Sequence, residues 1–286
     1  MEIGNHGVHQ PRPLGQCMES IVWSVDDPFH PVIRALIERG IPSGHRFLVP
    51  QSDLDAVEGR FPALLEAFPG AIQATNEQSA AHVALLTGKN NQRLQPGHKV
   101  HLDMAGPKSE TQNRPSGTAV IVHGLLSGTT GSPFAHVFRA WQSIVDSSEH
   151  PSKLGIDGGY WVTVADTASA MLRLGDVLPS HTGPINICGR RWWTAEDTWK
   201  ELSMLSSRNA AGLYGTFTPK HLEEGHDVPV NVESLSVAVG QPPTRPDLGP
   251  LHTLLVSATG EGWNPSTPLR LGLMMMLAEL TDDLQS

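Results

Sequence analysis

The sequence predicts an α/β fold: a parallel sheet with helices on both faces. Short apolar runs rich in β-branched residues alternate with helical patterns, the signature of βαβ units. The clearest strand, Thr118 to Val122, runs into a Gly/Ser/Thr loop (Gly124 to Ser132) and then a helical pattern. With 28 Gly and 23 Pro, the chain has ample turn residues to join many short elements.

The elements follow in order. Met1 to Met18 reads as an irregular arm, and Ser20 to Val25 as a short buried strand. Pro31 to Arg39 has Val32, Ile33, Leu36 and Ile37 on one helical face, with Gly40 expected as the C′ stop. Phe47 to Val49 is a second strand, Leu54 to Phe68 a helical stretch, Ala71 to Ala74 a third strand and Gln78 to Leu86 a helix. Beyond the Thr118 strand and its loop come a helix over Pro133 to Val145, a strand over Tyr160 to Val164 and a helix over Asp166 to Arg173. A strand over Pro184 to Cys188 and a helix over Ala195 to Leu205 follow. Gly215 to Pro250 reads as loop, and Leu269 to Leu284 closes as an amphipathic helix.

Composition excludes several classes. A net charge of −9, with no basic cluster longer than Arg190-Arg191, argues against a nucleic-acid surface. No apolar run is long enough to span a bilayer, and the polar N-terminus lacks the pattern of a signal peptide. Two cysteines, Cys17 and Cys188, make neither a disulfide framework nor a zinc cluster, so a reducing cytoplasm is expected. The fourteen histidines occur without metal-ligand spacing, and no metal is expected. Neither a Walker A motif nor a G-x-S-x-G elbow is present.

The stretch Gly262-Trp263-Asn264-Pro265-Ser266-Thr267-Pro268-Leu269, continuing to Gly272-Leu273, resembles the "GW.P.T.L..GL" ending of the extended short-chain dehydrogenase/reductase family. Other blocks are similar to that family in the same order. Ile21 to Gly40 resembles its opening strand, phosphate loop and helix, and Asp53-Leu54-Asp55 its "DL.D" segment. Ala119 to Gly128 resembles "VRP…YG", Trp161 to Ala170 resembles "V.V.D.A.A", and Gly183 to Gly189 with Thr198 to Leu202 resembles "G..YN.GG…T..EL". The resemblance implies a degenerate, shortened Rossmann-like core over residues 19–180. A smaller C-terminal substrate-type lobe over 181–286 would be interleaved with it, and an arm over 1–18 would precede it.

The departures bear on function. The first turn, Ser24-Val25-Asp26-Asp27-Pro28-Phe29-His30-Pro31, has no glycine where the family has GxxGxxG. It places two carboxylates where pyrophosphate charge would sit, and its prolines remove backbone donors. Asp26 and Asp27 are also placed to cap the helix at Pro31. The best match to the catalytic Tyr-x-x-x-Lys is Met104-Ala105-Gly106-Pro107-Lys108, and a thioether cannot exchange the proton that hydride transfer needs. No bound cofactor is expected.

His123, at the end of a strand, is the leading acid/base candidate, and the alternative is a hydrogen-bonded loop histidine. Asp103, Lys108 and His101 join it as candidate catalytic residues, with His82 a further candidate; the alternative is a solvated loop with inherited charges. Candidate substrate-binding residues are Ser127 and Thr129 of the Gly/Ser/Thr loop, Trp161, Trp192, Trp193 and Met104. Met274 to Met276 reads as core filler.

The first expectation is a cofactor-independent cyclase, isomerase or lyase acting on a small, largely apolar metabolite such as a polyketide. The second is a non-catalytic regulatory or partner-binding descendant. The third is an NAD(P)-dependent sugar-nucleotide epimerase or reductase with an atypical loop. The expected partner is a small molecule, with no nucleic acid or membrane, and the chain is compatible with a homodimer.

Overall fold

A computed structural model describes residues 20–76, 80–87, 98–106, 118–147, 154–223 and 243–282. The arm over residues 1–18 and Lys108 lie outside the described residues.

The chain builds a seven-stranded sheet from β1 (Val22–Val25), β2 (Arg46–Val49), β3 (Ile72–Ala74), β4 (Val83–Leu86), β5 (His98–Ala105), β6 (Thr118–His123) and β10 (Gly183–Ile187). Across the sheet the order is β10-β6-β5-β4-β1-β2-β3, and every neighbouring pair is parallel. The order reverses between β1 and β4, which makes that junction the topological switch point.

One face of the sheet carries the main core. Trp23, Val25, Phe47, Val49, Val83, Leu85, Val100, Leu102, Val120, Val122, Ile185 and Ile187 project to it. Helices α1 (Pro31–Gly40), α5 (Val164–Leu174) and α8 (Gly249–Thr259) supply the opposing apolar side chains, among them Ile33, Leu36, Met171, Leu174, Leu251 and Leu255. A second core joins α4 (Ala135–Ser147), α6 (Ala195–Leu213) and α9 (Leu269–Asp282). Trp141, Trp161 and Trp199 lie in it, with edge-to-face rings at Phe134–Trp161, Phe138–Trp141 and Trp141–Trp199. The remaining short elements are α2 (Leu54–Arg60), α3 (Pro62–Ala67), β7 (Leu125–Leu126), β8 (Gly158–Gly159), β9 (Val162–Thr163), β11 (Trp193–Thr194) and α7 (Lys220–Glu223).

Several elements differ from the sequence expectation. Residues 83–86 form strand β4, not the end of a helix; their unbroken Val-Ala-Leu-Leu run is buried on both faces of the sheet. The stretch from Leu54 to Phe68 is two helices, because Pro62 lacks the amide that would continue the first. Gly40 is not a left-handed stop. It lies inside α1, where an added Cβ would sit 2.9 Å from Phe47 Cζ and 3.0 Å from Leu172 Cδ2. The strand expected over Tyr160 to Val164 shrinks to Val162–Thr163, because Thr163 caps α5 by accepting the Asp166 amide. Strand β5 and helix α8 were not read from the sequence at all. Among the described residues, no helix is long and apolar enough to cross a membrane.

Candidate functional site

Parallel sheets bind ligands beyond the carboxyl ends of their strands, above all at the switch point. Here that crevice is stitched by the chain itself. The Asp26 carboxylate, just beyond β1, accepts the Thr87 amide at 2.8 and 3.0 Å and the Thr87 hydroxyl at 3.0 Å, just beyond β4. Asp27 Oδ1 accepts the Phe29 amide at 3.2 Å. Asp26, Asp27 and His30 are all buried. Pro31, at the first position of α1, has no amide to offer an anion. A pyrophosphate needs open backbone donors and no opposing carboxylate, and the residues of this turn do not offer that cradle.

Burial pushes the Asp26 carboxyl above its ordinary value of 3.8, against the lowering effect of the Thr87 hydrogen bonds. A raised folded pKa contributes stability that is full below 3.8 and is lost as pH rises through the folded value. Asp26→Asn keeps an acceptor for Thr87 and removes the charge. Its melting temperature should therefore fall less than wild type's as pH rises through that window, and should equal or exceed wild type's at pH 7. A marked loss of stability at pH 7 would show that the ionised carboxylate holds the turn.

The second face of the sheet gathers three of the polar candidates. Side chains alternate along β5, so Val100, Leu102 and Met104 face the main core while His101, Asp103 and Ala105 face the other way. The register aligns His101 with Ala119, Asp103 with Ile121 and Ala105 with His123, and aligns Ile121 with Asn186 of β10. His101, Asp103, His123 and Asn186 therefore share one face. Asp103 is exposed there, and His101, His123 and Asn186 are half-buried. His123 and Asp103 stand one strand and two residues apart on this face, roughly 8 Å between backbones.

Asn186 fixes the histidine. Its amide donates to the Asp247 carbonyl at 3.0 Å, which turns Oδ1 toward His123 Nε2, also at 3.0 Å. An amide oxygen only accepts, so Nε2 donates, and Nδ1 is the basic nitrogen of the neutral ring. Asn186 was not singled out in the sequence; its period-2 place in Pro-Ile-Asn-Ile was the available signal.

Met104 sits on a strand, facing the core, and not on a helix where an i, i+4 partner would share its face. His82 is exposed, and its Nδ1 accepts the Val22 amide at 3.0 Å, which ties β4's entry to β1.

The loop after β6 is held from both sides. Glu279 Oε2 of α9 accepts the Ser127 hydroxyl at 3.0 Å and the Gly128 amide at 2.8 Å. Arg139 donates to the Gly128 carbonyl and the Thr130 hydroxyl, each at 2.9 Å. Ser127 Oγ also accepts the Thr129 amide. This loop's donors thus meet an internal carboxylate, and the loop does not join the His123 face through any of these bonds.

Trp161 is core, with its indole N–H donating to Thr198 Oγ1 at 3.0 Å. Trp192 packs edge-on against Tyr160, whose hydroxyl donates to the Pro243 carbonyl. Trp193 lies beneath the Arg191 guanidinium, 4.2 Å from its ring centre. Three recesses are formed by described residues. One of about 640 Å³ lies between α5 and residues 261–266, one of about 560 Å³ at the C-terminal end of α6, and one of about 120 Å³ between α1 and α9. His123 lines none of these three. Among the described residues, no group of three or more His, Cys, Asp or Glu could hold a metal ion.

No family model matches the chain, and no curated protein matches it by sequence. Solved structures do match in three dimensions. The UDP-Glc/GlcNAc 4-epimerase from Campylobacter jejuni aligns over 92% of this chain and 100% of its own, with a TM-score of 0.56 and 8% identity. The Bifidobacterium longum UDP-glucose 4-epimerase, solved with NAD+ and UDP, aligns over 92% and 99%, with a TM-score of 0.51 and 10% identity. Yeast methylglyoxal/isovaleraldehyde reductase, solved with NADPH, aligns over 93% and 100%, with a TM-score of 0.51 and 8% identity. The chain has the Rossmann-like fold of these epimerases and reductases.

Proposed function

We propose that this chain is a cofactor-independent acid/base enzyme, a cyclase, isomerase or lyase acting on a small, largely apolar metabolite, on a fold whose solved examples include nicotinamide enzymes. The observation that carries the reading is the Asp26–Thr87 stitch across the switch point, with Asp27 turned onto the first turn beside it. A proton transfer needs no external redox equivalent, and the second sheet face offers groups for it. His123 would exchange the proton, with its ring held by Asn186. Asp103 and His101, on the same face, would return it or steady the charge that develops. Lys108 lies close in sequence to that face and is assigned the same electrostatic role. Trp192 and Tyr160 would wall the apolar side of the substrate.

Thermal melts with NADH and NADPH test the cofactor half of this reading. A ligand at about 100 times its Kd stabilises by about 2.7 kcal/mol, a shift of about 4–5 °C for a chain this size. We expect none with either nucleotide, and a clear shift would make a reductase or epimerase the better reading. A panel of small aromatic and aliphatic ketones tests the other half. Those that stabilise wild type should fail to stabilise His123→Ala, and equal stabilisation of both would remove His123 from the site.

A non-catalytic, partner-binding role is the second reading. It is favoured by the exposure of Leu213, Tyr214 and Phe217 at the end of α6 and by the absence of His123 from the three recesses. Failure of every ketone to bind, with no nucleotide shift, would move the balance to it.

A further inference from the structure

Two consecutive amides at the entry of β1 are held by histidine side chains, one from each side. The Ile21 amide donates to Nδ1 of His45 at 3.3 Å, and the Val22 amide donates to Nδ1 of His82 at 3.0 Å. His45 immediately precedes β2 and His82 immediately precedes β4, the two strands that flank β1. His82 grips Val22 twice, because its own amide donates to the Val22 carbonyl at 2.9 Å. His45 is buried, with its ring edge-on to that of Trp23. Nearby, the Ser20 hydroxyl donates to the Gly44 carbonyl at 2.7 Å.

A backbone amide only donates. Each Nδ1 must therefore keep its lone pair, and the proton of the neutral ring sits on Nε2. A protonated imidazole carries N–H at both nitrogens and accepts at neither. We propose that His45 and His82 form an acid-sensitive latch on the entry of β1, closed while both rings are neutral and opened when they take up protons. The opening is local. From Trp23 onward β1 is held by strand pairing to β2 and β4, which does not titrate. The latch sits at the amino ends of the strands, away from His123 at the carboxyl end of β6.

His45 is the stronger half. Its buried Nε2 has no hydrogen-bond partner among the described residues. A charged ring there would press one N–H against an amide proton and leave the other without an acceptor. Burial lowers the His45 pKa below its ordinary 6.5, while the Asp176 carboxylate, just past α5, pulls it the other way. A lowered folded value contributes stability that is full above 6.5 and is lost as pH falls through the folded value, so the latch opens on the acid side. Beside His82 the titratable neighbour is His98, whose amide donates to the His82 carbonyl at 3.2 Å. His98 is wired in the opposite sense. The Thr118 hydroxyl donates to the His181 carbonyl, so its oxygen accepts from His98 Nε2 at 3.0 Å. A donor ring keeps its bond when charged, so His98 stands on the same edge without belonging to the latch.

Hydrogen exchange of the full chain at about pH 7.5 and about pH 5, corrected for the intrinsic pH dependence of exchange, tests the latch. Protection at Ile21 and Val22 should fall by about tenfold or more between the two, while protection across β6 changes by less than about twofold. A chain carrying both His45→Asn and His82→Asn sets an amide oxygen near the place of each Nδ1, and that oxygen accepts at every pH. It should keep its protection on the acid side. Unchanged protection in wild type, an equal loss across β6, or the same loss in the double variant would each overturn the proposal. Nitrogen NMR of the wild-type imidazoles gives a check that needs no variant. Both rings should carry the proton on Nε2 alone at about pH 7.5, and a proton on Nδ1 of either ring would overturn the proposal as well.

Discussion

Asp166→Ala is expected to lower the melting temperature by about 7 °C. Asp166 is buried near the start of α5, and its two oxygens accept four hydrogen bonds. Oδ1 takes the Ser266 amide at 3.0 Å and the Ser266 hydroxyl at 3.1 Å, and Oδ2 takes the Thr267 amide at 3.2 Å and the Thr163 hydroxyl at 2.9 Å. Alanine would leave those donors without their acceptor in a largely closed space, at a cost of about 4 kcal/mol. For a chain of 286 residues the unfolding entropy is about 0.6 kcal/mol per degree, which gives the stated shift. Asp166→Asn should fall between alanine and wild type, since its oxygen can still serve Ser266 while its amide nitrogen cannot accept from Thr267. Calorimetry decides the matter, and a shift below about 2 °C for the alanine variant would mean that the C-terminal segment is held by other means.

Gly128→Ala should destabilise by about 2–3 kcal/mol and loosen α9. An added Cβ at residue 128 would sit 2.6 Å from the Met276 carbonyl oxygen and 2.8 Å from the Leu280 nitrogen. Both are backbone atoms of a helix and cannot swing aside, so the whole of α9 must retreat, and Glu279 with it. The loop would then lose its carboxylate acceptor as well as its packing. Gly212→Ala, in α6, is the control. Nothing lies within 4 Å of its added Cβ, and helix propensity favours alanine, so that variant should be neutral or slightly more stable. Equal melting temperatures for the two variants would show that α9 yields without cost.

The C-terminal Gly-Trp-Asn-Pro-Ser-Thr stretch was legible as a motif, and the structure gives its physical content. Trp263 donates its indole N–H to the Cys188 carbonyl at 2.9 Å, and Ser266 and Thr267 saturate Asp166. Trp263 and Asp166 are both buried there. Strands β1 and β2 and helix α1 were also legible, as short apolar runs alternating with an amphipathic pattern, whereas β4 read as the end of a helix. Strand β5 was hidden because one of its faces is wet. His98-Lys99-Val100-His101-Leu102-Asp103-Met104 alternates as a half-buried strand should, yet the charged positions drew it into a loop with the Lys108 motif. Helix α8 was hidden by Gly249 and Pro250, which read as loop but serve as its first turn. The site was legible residue by residue and not as a set. His101, Asp103 and His123 meet on one face only through strand register, which no local pattern encodes, and Asn186 enters through the same register.

The Asp26–Thr87 stitch also bears on how readily this turn could change. Building a pyrophosphate cradle here would take more than one substitution. Removing Asp26 alone leaves the Thr87 amide and hydroxyl without their acceptor, while Asp27, Pro28 and Pro31 still repel or fail to bind phosphate. Placing glycines there first would free the backbone while the carboxylates still stood in the way. Each single substitution toward a phosphate cradle here would cost stability before it gave any affinity, so the folding energy of this turn itself resists such a change.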